Sequence, residues 1–224
     1  MSADIVCVIP ALNAELTVET VVTSVRRAIP DIVVIGVDDG STDHTRSVLH
    51  RVCNQTIAFD TNRGKGAALR AAFAAAQANG AKTLLTIDAD GQHDPAFAPH
   101  LLAQLTSADI VIGARQTNTK TVPPQRRFAN WLSTAVTRAV IKRPVRDSQS
   151  GFRAMRAIVI DTVQARGDRY EFETDFLVRA SRAGYSIAEV AVPTIYGPPS
   201  HFREISDTWR VARILWSHRA AVFR

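Results

Sequence analysis

Short apolar runs rich in Val and Ile recur along the first half of the chain, and polar residues cluster directly after most of them. The runs predict buried β-strands at 4–10, 31–37, 56–59, 82–87 and 109–113. Segments with helical periodicity lie between these strands, at about 16–28, 42–52, 65–79 and 95–105. This alternation predicts an α/β fold in which helices cover both faces of a mostly parallel sheet.

The pattern changes after about residue 123. PPQRRFANWLSTAVTRAVIK predicts a basic amphipathic helix, RDSQSGFRAMR a partly extended segment, and YEFETDFLVRASRAG a helix that ends at Gly184. YSIAEVAVPTIYG predicts one more strand, and SDTWRVARILWSHRAAVFR a terminal helix. Because no linker or repeat separates these elements, we expect one domain over 1–206. A C-terminal amphipathic helix over 207–224 would pack on this domain or lie at a membrane surface.

Composition narrows the class of protein. The 224 residues carry a net charge of +6, which fits a polyanionic partner such as a nucleotide, a phospholipid or a nucleic acid. Two cysteines without ligand-like spacing are expected to be reduced thiols of a cytoplasmic protein. We expect no signal peptide, because the first residues lack a basic stretch. We also expect no spanning helix, because no apolar run approaches the ~20 residues that cross a bilayer.

Polar clusters follow four of the predicted strands. PALNAE comes after the first strand, DDGSTD after the second, DADGQHD after the fourth and GAR after the fifth. In parallel α/β sheets, ligands bind beyond the carboxyl ends of the strands. We therefore expect these four segments to meet at one ligand-binding edge.

The segment DADGQHDP carries the most specific chemistry. If the extended geometry continues past the fourth strand, Asp88, Asp90 and Gln92 point to one side. Their oxygen atoms suit a hard cation such as Mg²⁺ or Mn²⁺. Asp94 and Pro95 instead predict the N-cap and the first residue of the next helix.

The other strand-end segments favour nucleotide and phosphate contacts. Asp38 and Asp39 could accept hydrogen bonds from a ribose or a base, while Ser41 or Thr42 is expected to cap the following helix. NRGKGAAL fits either a phosphate site at a helix N-terminus or a flexible basic loop. Arg115 follows the fifth strand directly, where its guanidinium suits bidentate recognition of phosphate.

Taken together, the motifs resemble family 2 glycosyltransferases. VIPALNAE, VDDGSTD, NRGKGAAL, DADGQHDP, GAR and DSQSGFRAMR occur in the order typical of that family, and the resemblance covers about residues 5–203. It is greatest to the dolichyl/polyprenyl-phosphate mannose synthase branch. This resemblance implies a GT-A fold, a Rossmann-like domain that uses a nucleotide sugar and a divalent cation, Mg²⁺ or Mn²⁺. It further implies inverting transfer of a sugar from GDP-mannose or a UDP-sugar to a polyprenyl phosphate.

The resemblance also assigns site residues. The implied donor contacts are Pro10, Asn13, Glu15, Asp39, Lys65, Gly66, Asp88, Ala89 and Asp90. The implied metal ligands are Asp88, Asp90 and Gln92. The implied contacts to the acceptor phosphate are Arg115, either Arg126 or Arg127, Ser150 and Arg203. Asp90, Arg115 and Arg203 would carry the catalytic roles.

Three alternatives stay open from the residues alone. A hydroxyl acceptor would need a general base, for which Glu173 and Asp175 are candidates, although we expect these two acids to lie on a solvated helix face. A sugar nucleotidyltransferase is disfavoured, because the first strand is not followed by a Gly-rich loop with Arg and Lys. A non-catalytic nucleotide- or nucleic-acid-binding module is the third. The acidic cluster argues against a nucleic-acid partner, since carboxylates repel a phosphate backbone.

The expected acceptor raises the question of membrane access. Many relatives continue into transmembrane helices, which this sequence does not predict. Access is therefore expected from the terminal helix, from a membrane-protein partner or through a soluble acceptor. We expect a cytoplasmic protein that makes peripheral contact with the inner face of the membrane.

Overall fold

Seven strands form one mixed sheet in the computed structural model, which describes residues 4–116, 134, 138, 145–169 and 171–195. The strands are β1 (Ile5–Ala11), β2 (Val33–Asp38), β3 (Gln55–Ala58), β4 (Thr83–Thr86), β5 (Ile110–Gln116), β6 (Arg153–Arg156) and β7 (Ile187–Pro193). Their order across the sheet is β3-β2-β1-β4-β6-β5-β7, and β6 alone among them runs antiparallel to its neighbours β4 and β5. The predicted mostly parallel α/β sheet is confirmed.

Helices connect the strands on both faces of the sheet. They are α1 (Val18–Ala28), α2 (Thr45–Val52), α3 (Lys65–Ala78), α4 (Ala98–Gln104), α5 (Ala157–Thr162) and α6 (Glu171–Arg182), and a 3₁₀ turn at Pro95–Phe97 precedes α4. The predicted bounds of the strands and helices up to β5 agree to within about three residues. The sequence pattern does not predict α5, and it gives β6 only as part of a partly extended segment.

Apolar side chains point alternately into two separate cores. Val6 and Val8 of β1 share one core with α3 and α6, whereas Cys7 and Ile9 share the other with α1 and α4. All four residues are fully buried. A strand that is buried on both faces reads as an unbroken apolar run, which explains why the sequence locates the central strands well. Both cysteines are free thiols, as expected.

The carboxyl ends of β1, β2, β4 and β5 lie at the same edge of the sheet. From β1 the chain proceeds outward through β2 to β3, and it then returns to β4 on the other side of β1. The strand order therefore reverses between β1 and β4. A crevice at such a switch point is the usual ligand site of an open α/β sheet.

Two predicted helices lie outside the described residues. These are the basic helix at 123–142, apart from Thr134 and Arg138, and the terminal helix at 207–224. The division of the chain at residue 206 therefore stays a prediction. Within the described part of the chain, no helix is long and apolar enough to cross a membrane.

Candidate active site

Lys65 joins three elements at the centre of the ligand edge. Its Nζ atom lies 2.6 Å from Oδ1 of Asp88, which follows β4, and 2.9 Å from Oε1 of Glu173 on α6. The Lys65 side chain is 16% exposed and that of Glu173 only 3%. Burial by itself would raise the pKa of Asp88, but the charge of Lys65, its hydrogen bond and the other nearby positive charges together lower the pKa below its usual value. Asp88 is therefore held as a carboxylate beside a cation.

The surroundings of Asp90 disfavour its ionised form. Its pKa is raised, first by burial and then by the negative charge of Asp88. Its Oδ1 accepts a hydrogen bond of 3.0 Å from the backbone N–H of Gln92, and Gly91 between them has φ +72°. β4 ends at Thr86, so the chain turns here rather than continuing as a strand. The predicted extended geometry of this segment is wrong, and a turn brings Asp90 close to Asp88.

The Asp88–Asp90 pair fits a divalent cation in charge and in donor type. Each carboxylate opposes the ionisation of its neighbour, and a bound cation removes that repulsion. Across the described ranges, no group of three His, Cys, Asp or Glu side chains is arranged to hold a metal. The remaining ligands would be the Gln92 amide, water and substrate oxygens, as is common for Mg²⁺.

The loop before β6 packs against the carboxylate of Asp88. A Cβ atom at Gly151 would overlap both carboxylate oxygens of Asp88, so this position accepts no side chain without displacing the carboxylate. The Gly151 carbonyl accepts a hydrogen bond of 2.8 Å from Oγ1 of Thr86. The buried guanidinium of Arg153 ties the loop together through the carbonyls of Ser148 and Ser150, each at 2.8 Å.

Ser150 joins its loop to β5. Its side chain is fully buried, and its hydroxyl donates to the carbonyl of Gly113 at 2.7 Å and accepts from the N–H of Phe152 at 3.3 Å. The contact between Ser150 and an acceptor phosphate stays a prediction.

Arg115 is engaged by a carboxylate of the protein. Its Nε and Nη2 atoms donate to the two oxygens of Asp147 at 2.6 and 3.0 Å. This pair is largely buried, and the Arg115 charge holds the pKa of Asp147 below its usual value despite burial. The bidentate geometry that the sequence assigns to a phosphate is thus taken by Asp147. The other predicted acceptor contacts, Arg126, Arg127 and Arg203, lie outside the described residues.

The loops after β1 and β2 are locked to each other. Asn13, in the left-handed region with φ +48°, receives the N–H of Thr42 on its side-chain oxygen at 2.9 Å, and its own N–H donates to Ser41 Oγ at 3.0 Å. Ser41 and Thr42 are therefore used in this link, and α2 begins only at Thr45. The prediction that either one caps α2 is wrong.

Glu15 and Asp39 also bond to the protein backbone. Glu15 Oε2 accepts from the N–H of His44 at 2.9 Å. Asp39 is buried at the end of β2, where it accepts the N–H groups of Arg63 at 2.7 Å and Gly64 at 2.9 Å. Burial raises the pKa of Asp39, and these two hydrogen bonds oppose that rise. Both carboxylates fix the loops at the ligand edge, and Pro10 is partly exposed in β1.

The N-terminus of α3 is covered by the chain itself. The N–H of Gly66 donates to the carbonyl of Asp168 at 2.8 Å, and a Cβ at Gly66 would lie 2.7 Å from the carbonyl oxygen of Gly167. The two glycines of NRGKG thus admit a close approach of the loop at 167–169. This geometry argues against the alternative that this helix end is a phosphate site. Gly66 is buried, and its contact with a donor stays a prediction.

Glu173 and Asp175 do not lie on a solvated helix face. They are 2% and 1% exposed. Asp175 accepts from Arg179 Nε and from the N–H of Arg166, both at 2.6 Å. Glu173 has one oxygen at Lys65, and its other oxygen, Oε2, is buried without a hydrogen-bond partner among the described residues. The expectation of a solvated face is wrong for both acids.

Ala89, His93, Asp94 and Pro95 make structural contacts within the protein. Asp94 accepts the N–H of Ala96 at 3.0 Å and Pro95 opens the 3₁₀ turn, which confirms the predicted cap. His93 is 3% exposed and pairs with Thr194 beside β7. Burial lowers its pKa to about 4, so the imidazole is neutral at pH 7. Ala89 is buried, and its carbonyl accepts from Thr17 Oγ1 at 2.6 Å.

The sequence analysis misses three features of the site. These are the pairing of Arg115 with Asp147, the close approach of Gly151 to Asp88 and the contact of Glu173 with Lys65. A glycine at the start of a strand is a general sign of close backbone approach, and it could have drawn attention to Gly151. The other two are contacts between residues far apart in the sequence: Arg115 and Asp147 are 32 residues apart, and Lys65 and Glu173 are 108 residues apart. No local signal identifies them.

The mostly parallel sheet, with acidic side chains at its switch-point edge, has the architecture of the GT-A glycosyltransferases, and solved structures of that fold are similar to it. The chain matches the family model for glycosyl transferase family 2 over residues 6–163, and it belongs to that family.

Similar proteins include transferases whose names specify a lipid phosphate. An undecaprenyl-phosphate mannosyltransferase from Micrococcus luteus is 31% identical, over 84% of this chain and 82% of its own. A UDP-N-acetylglucosamine–dolichyl-phosphate N-acetylglucosaminyltransferase from Methanococcus voltae is also 31% identical, over 84% of each chain. A solved structure of glucosyl-3-phosphoglycerate synthase from Mycobacterium tuberculosis, with Mn²⁺, UDP and phosphoglyceric acid, has a TM-score of 0.78. It is 22% identical and covers 96% of this chain and 78% of its own.

Proposed function

We propose that this glycosyltransferase moves a sugar from GDP-mannose or a UDP-sugar to a polyprenyl phosphate, with inversion and with Mg²⁺ or Mn²⁺ as its cofactor. The observation that carries the proposal is the turn after β4, where Asp88 and Asp90 lie together beside Lys65 at the switch-point edge. The names of the Micrococcus and Methanococcus relatives support a lipid-phosphate acceptor. The Mn²⁺ and UDP in the solved synthase support the cofactor and the type of donor.

Asp88, Asp90 and Gln92 would hold the divalent cation. When bound, it stabilises the negative charge that develops on the leaving diphosphate. Asn13, Glu15 and Asp39 fix the loops that border the donor crevice. Lys65 would add a positive charge beside the diphosphate from its place next to Asp88.

The acceptor needs little activation. A phosphate monoester has a second pKa of ~6, so it is largely dianionic at neutral pH. One of its oxygens would attack the anomeric carbon while the bond from that carbon to the diphosphate breaks, and the electron pair leaves with the nucleoside diphosphate. A single in-line displacement of this kind inverts the configuration. Arg126 or Arg127, with Arg203, would position the acceptor.

A hydroxyl acceptor is the second candidate, and one observation favours it. Glu173 keeps a buried oxygen without a hydrogen-bond partner among the described residues, close to Lys65 and Asp88. A carboxylate in that position could take a proton from an attacking hydroxyl. Asp175 suits this role less, because Arg179 and the N–H of Arg166 already bind it.

Release of nucleoside diphosphate from a panel of GDP- and UDP-sugars tests the proposal. Each donor is assayed with Mn²⁺ or Mg²⁺, and with polyprenyl phosphate or the matching polyprenol as acceptor. We expect metal-dependent turnover with the phosphate and none with the alcohol. Turnover with hydroxyl acceptors alone would favour the second candidate, and none across the panel would contradict both.

Asp90→Asn should lower turnover by more than about 100-fold, because loss of a metal ligand exceeds the 10–100-fold effect of supporting groups. Asp94→Asn is the matched control, since Asn caps a helix as well as Asp does and the residue lies four positions away. We expect it to retain wild-type turnover. Equal activity of both variants would remove Asp90 from the mechanism.

A further inference from the structure

Glu173 is a buried acid whose position needs an explanation. Its side chain is 3% exposed, and Oε2 has no hydrogen-bond partner among the described residues. A buried carboxylate without a paired charge is costly. The charge that faces it at 2.9 Å is the ammonium of Lys65. Lys65 is therefore the ion-pair partner of Glu173, and the buried Arg153 guanidinium adds a second favourable charge.

Lys65 is shared between two carboxylates. It lies 2.6 Å from Asp88 and 2.9 Å from Glu173. A lysine that paired with Asp88 alone would neutralise that carboxylate and compete with a divalent cation for it. A second carboxylate that binds the same ammonium competes with Asp88 for its N–H donors and for its position, so Asp88 is held less tightly by Lys65.

Asp88 has little freedom to compensate by moving. The backbone of Gly151 lies so close that even a Cβ atom there would overlap both oxygens. The neighbouring cations are committed to other groups. Arg115 is paired with Asp147, and Arg153 donates to the carbonyls of its own loop. Of these three cations, Lys65 is the one that forms an ion pair with Asp88.

We infer that Glu173 is a positioning residue, which acts through Lys65 to keep Asp88 available to a divalent cation. The inference rests on the proposed function, in which Asp88 and Asp90 hold that cation. It gives Glu173 a role that does not depend on proton transfer and that applies to a phosphate acceptor as well as to a hydroxyl.

A double-mutant cycle on Mn²⁺ binding tests the inference. Free Mn²⁺ is measured by electron paramagnetic resonance during titration of the full-length protein, without nucleotide. Glu173→Gln should weaken Mn²⁺ binding by about tenfold, the lower end of effects seen for groups that orient metal ligands. In a Lys65→Met background, the same substitution should have no effect on binding, because the group it acts through is gone. Glu173→Asp, which keeps the charge, should recover part of the loss.

Glu171→Gln is the matched control, because Glu171 lies on the same helix and also buries an oxygen without a partner among the described residues. We expect it to bind Mn²⁺ as the wild type does. Thermal unfolding of every variant identifies losses that are due to misfolding. Unchanged binding in Glu173→Gln, or an equal loss in the Lys65→Met background, would overturn the inference. Failure of the wild type itself to bind Mn²⁺ would instead count against the proposed metal pair.

Discussion

The Asp88 carboxylate is confined by two residues from distant parts of the chain. Lys65 Nζ lies 2.6 Å from one of its oxygens, and the Gly151 backbone closes the space on another side. Catalytic and binding groups have to be held within about 0.5 Å of their working geometry. The contacts of Asp88 with Lys65 and with the Gly151 backbone supply that restraint.

Gly151→Ala should impair catalysis more than it destabilises the fold. The added methyl group would overlap both oxygens of Asp88, so the carboxylate has to leave its place beside Lys65. We expect transfer activity to fall at least about tenfold, with a loss of about 1–3 kcal/mol in the free energy of unfolding, as is typical of overpacking. Steady-state kinetics and urea unfolding measure the two effects.

Gly184→Asn is the control for a glycine replaced outside the site. Gly184 ends α6 with φ +91°, and a Cβ there meets no atom within 4 Å. Asn tolerates positive φ better than most residues, so activity should stay at the wild-type level. If Gly151→Ala were as active as this control, the position of Asp88 would not depend on the space at Gly151.

At this scale the sequence identifies residues better than it identifies their contacts. Asp88 and Asp90 are recognisable because they follow a buried strand at the ligand edge. Arg115 and Ser150 are equally well placed in the sequence, but they bind Asp147 and the Gly113 carbonyl. Those partners lie more than 30 residues away along the chain. The tertiary fold brings them together, and no local pattern records it.

Among the elements, those with two buried faces or a regular apolar stripe are the predictable ones. β6 is short, and its sequence RAMR begins and ends with arginine, so its pattern does not resemble a buried strand. Arg153 is nevertheless buried there, because its guanidinium donates to three backbone carbonyls. In α6 the acids suggest a solvated face. In the structure Lys65 pairs with one oxygen of Glu173, and Arg179 and the N–H of Arg166 bind Asp175.

The junction of β5 and β7 should make stability depend on pH. Asp109 precedes β5, and its carboxylate accepts the hydroxyl of Ser186 at 2.7 Å and the Ser186 N–H at 2.8 Å. The Ser186 hydroxyl and N–H, in that order, lower the pKa of Asp109. A lowered folded-state pKa means that the contribution is present above the ordinary pKa, and is lost as the pH falls through the folded-state value.

Ser186→Ala should therefore reduce the free energy of unfolding at pH 7 by about 1 kcal/mol, the low end for hydrogen bonds to a charged group because Asp109 is partly exposed. The difference from the wild type should shrink below about pH 4, where carboxylates become protonated. Urea unfolding between pH 7 and pH 3 measures it. Ser107→Ala, on the exposed surface nearby, should change stability by less than about 0.5 kcal/mol at every pH. A difference for Ser186→Ala that stayed constant with pH would contradict the role of Asp109.

Charge is divided unevenly over the whole molecule. The chain has a net charge of +6, yet its ligand edge gathers Asp88, Asp90 and Glu173, and the nearest cations there are paired with carboxylates. Much of the positive charge is therefore available elsewhere. The segment 207–224 carries Arg210, Arg213, Arg219 and Arg224 together with Trp209 and Trp216. Arginine next to tryptophan is typical of segments that lie at an anionic lipid surface.

Deletion of residues 207–224 should weaken binding to anionic vesicles. Each basic residue near an anionic surface contributes about 1 kcal/mol, so losing four should reduce the bound fraction at least tenfold. Sedimentation with vesicles of phosphatidylglycerol and phosphatidylcholine measures the bound fraction.

Replacing the four arginines by Gln tests the charge separately and should give most of the same loss. Vesicles of phosphatidylcholine alone should bind neither the intact nor the shortened protein. Turnover of a short-chain, water-soluble polyprenyl phosphate should survive the deletion, because every proposed site residue precedes residue 207. Unchanged vesicle binding, or loss of turnover with unfolding of the domain, would place the segment in the core instead.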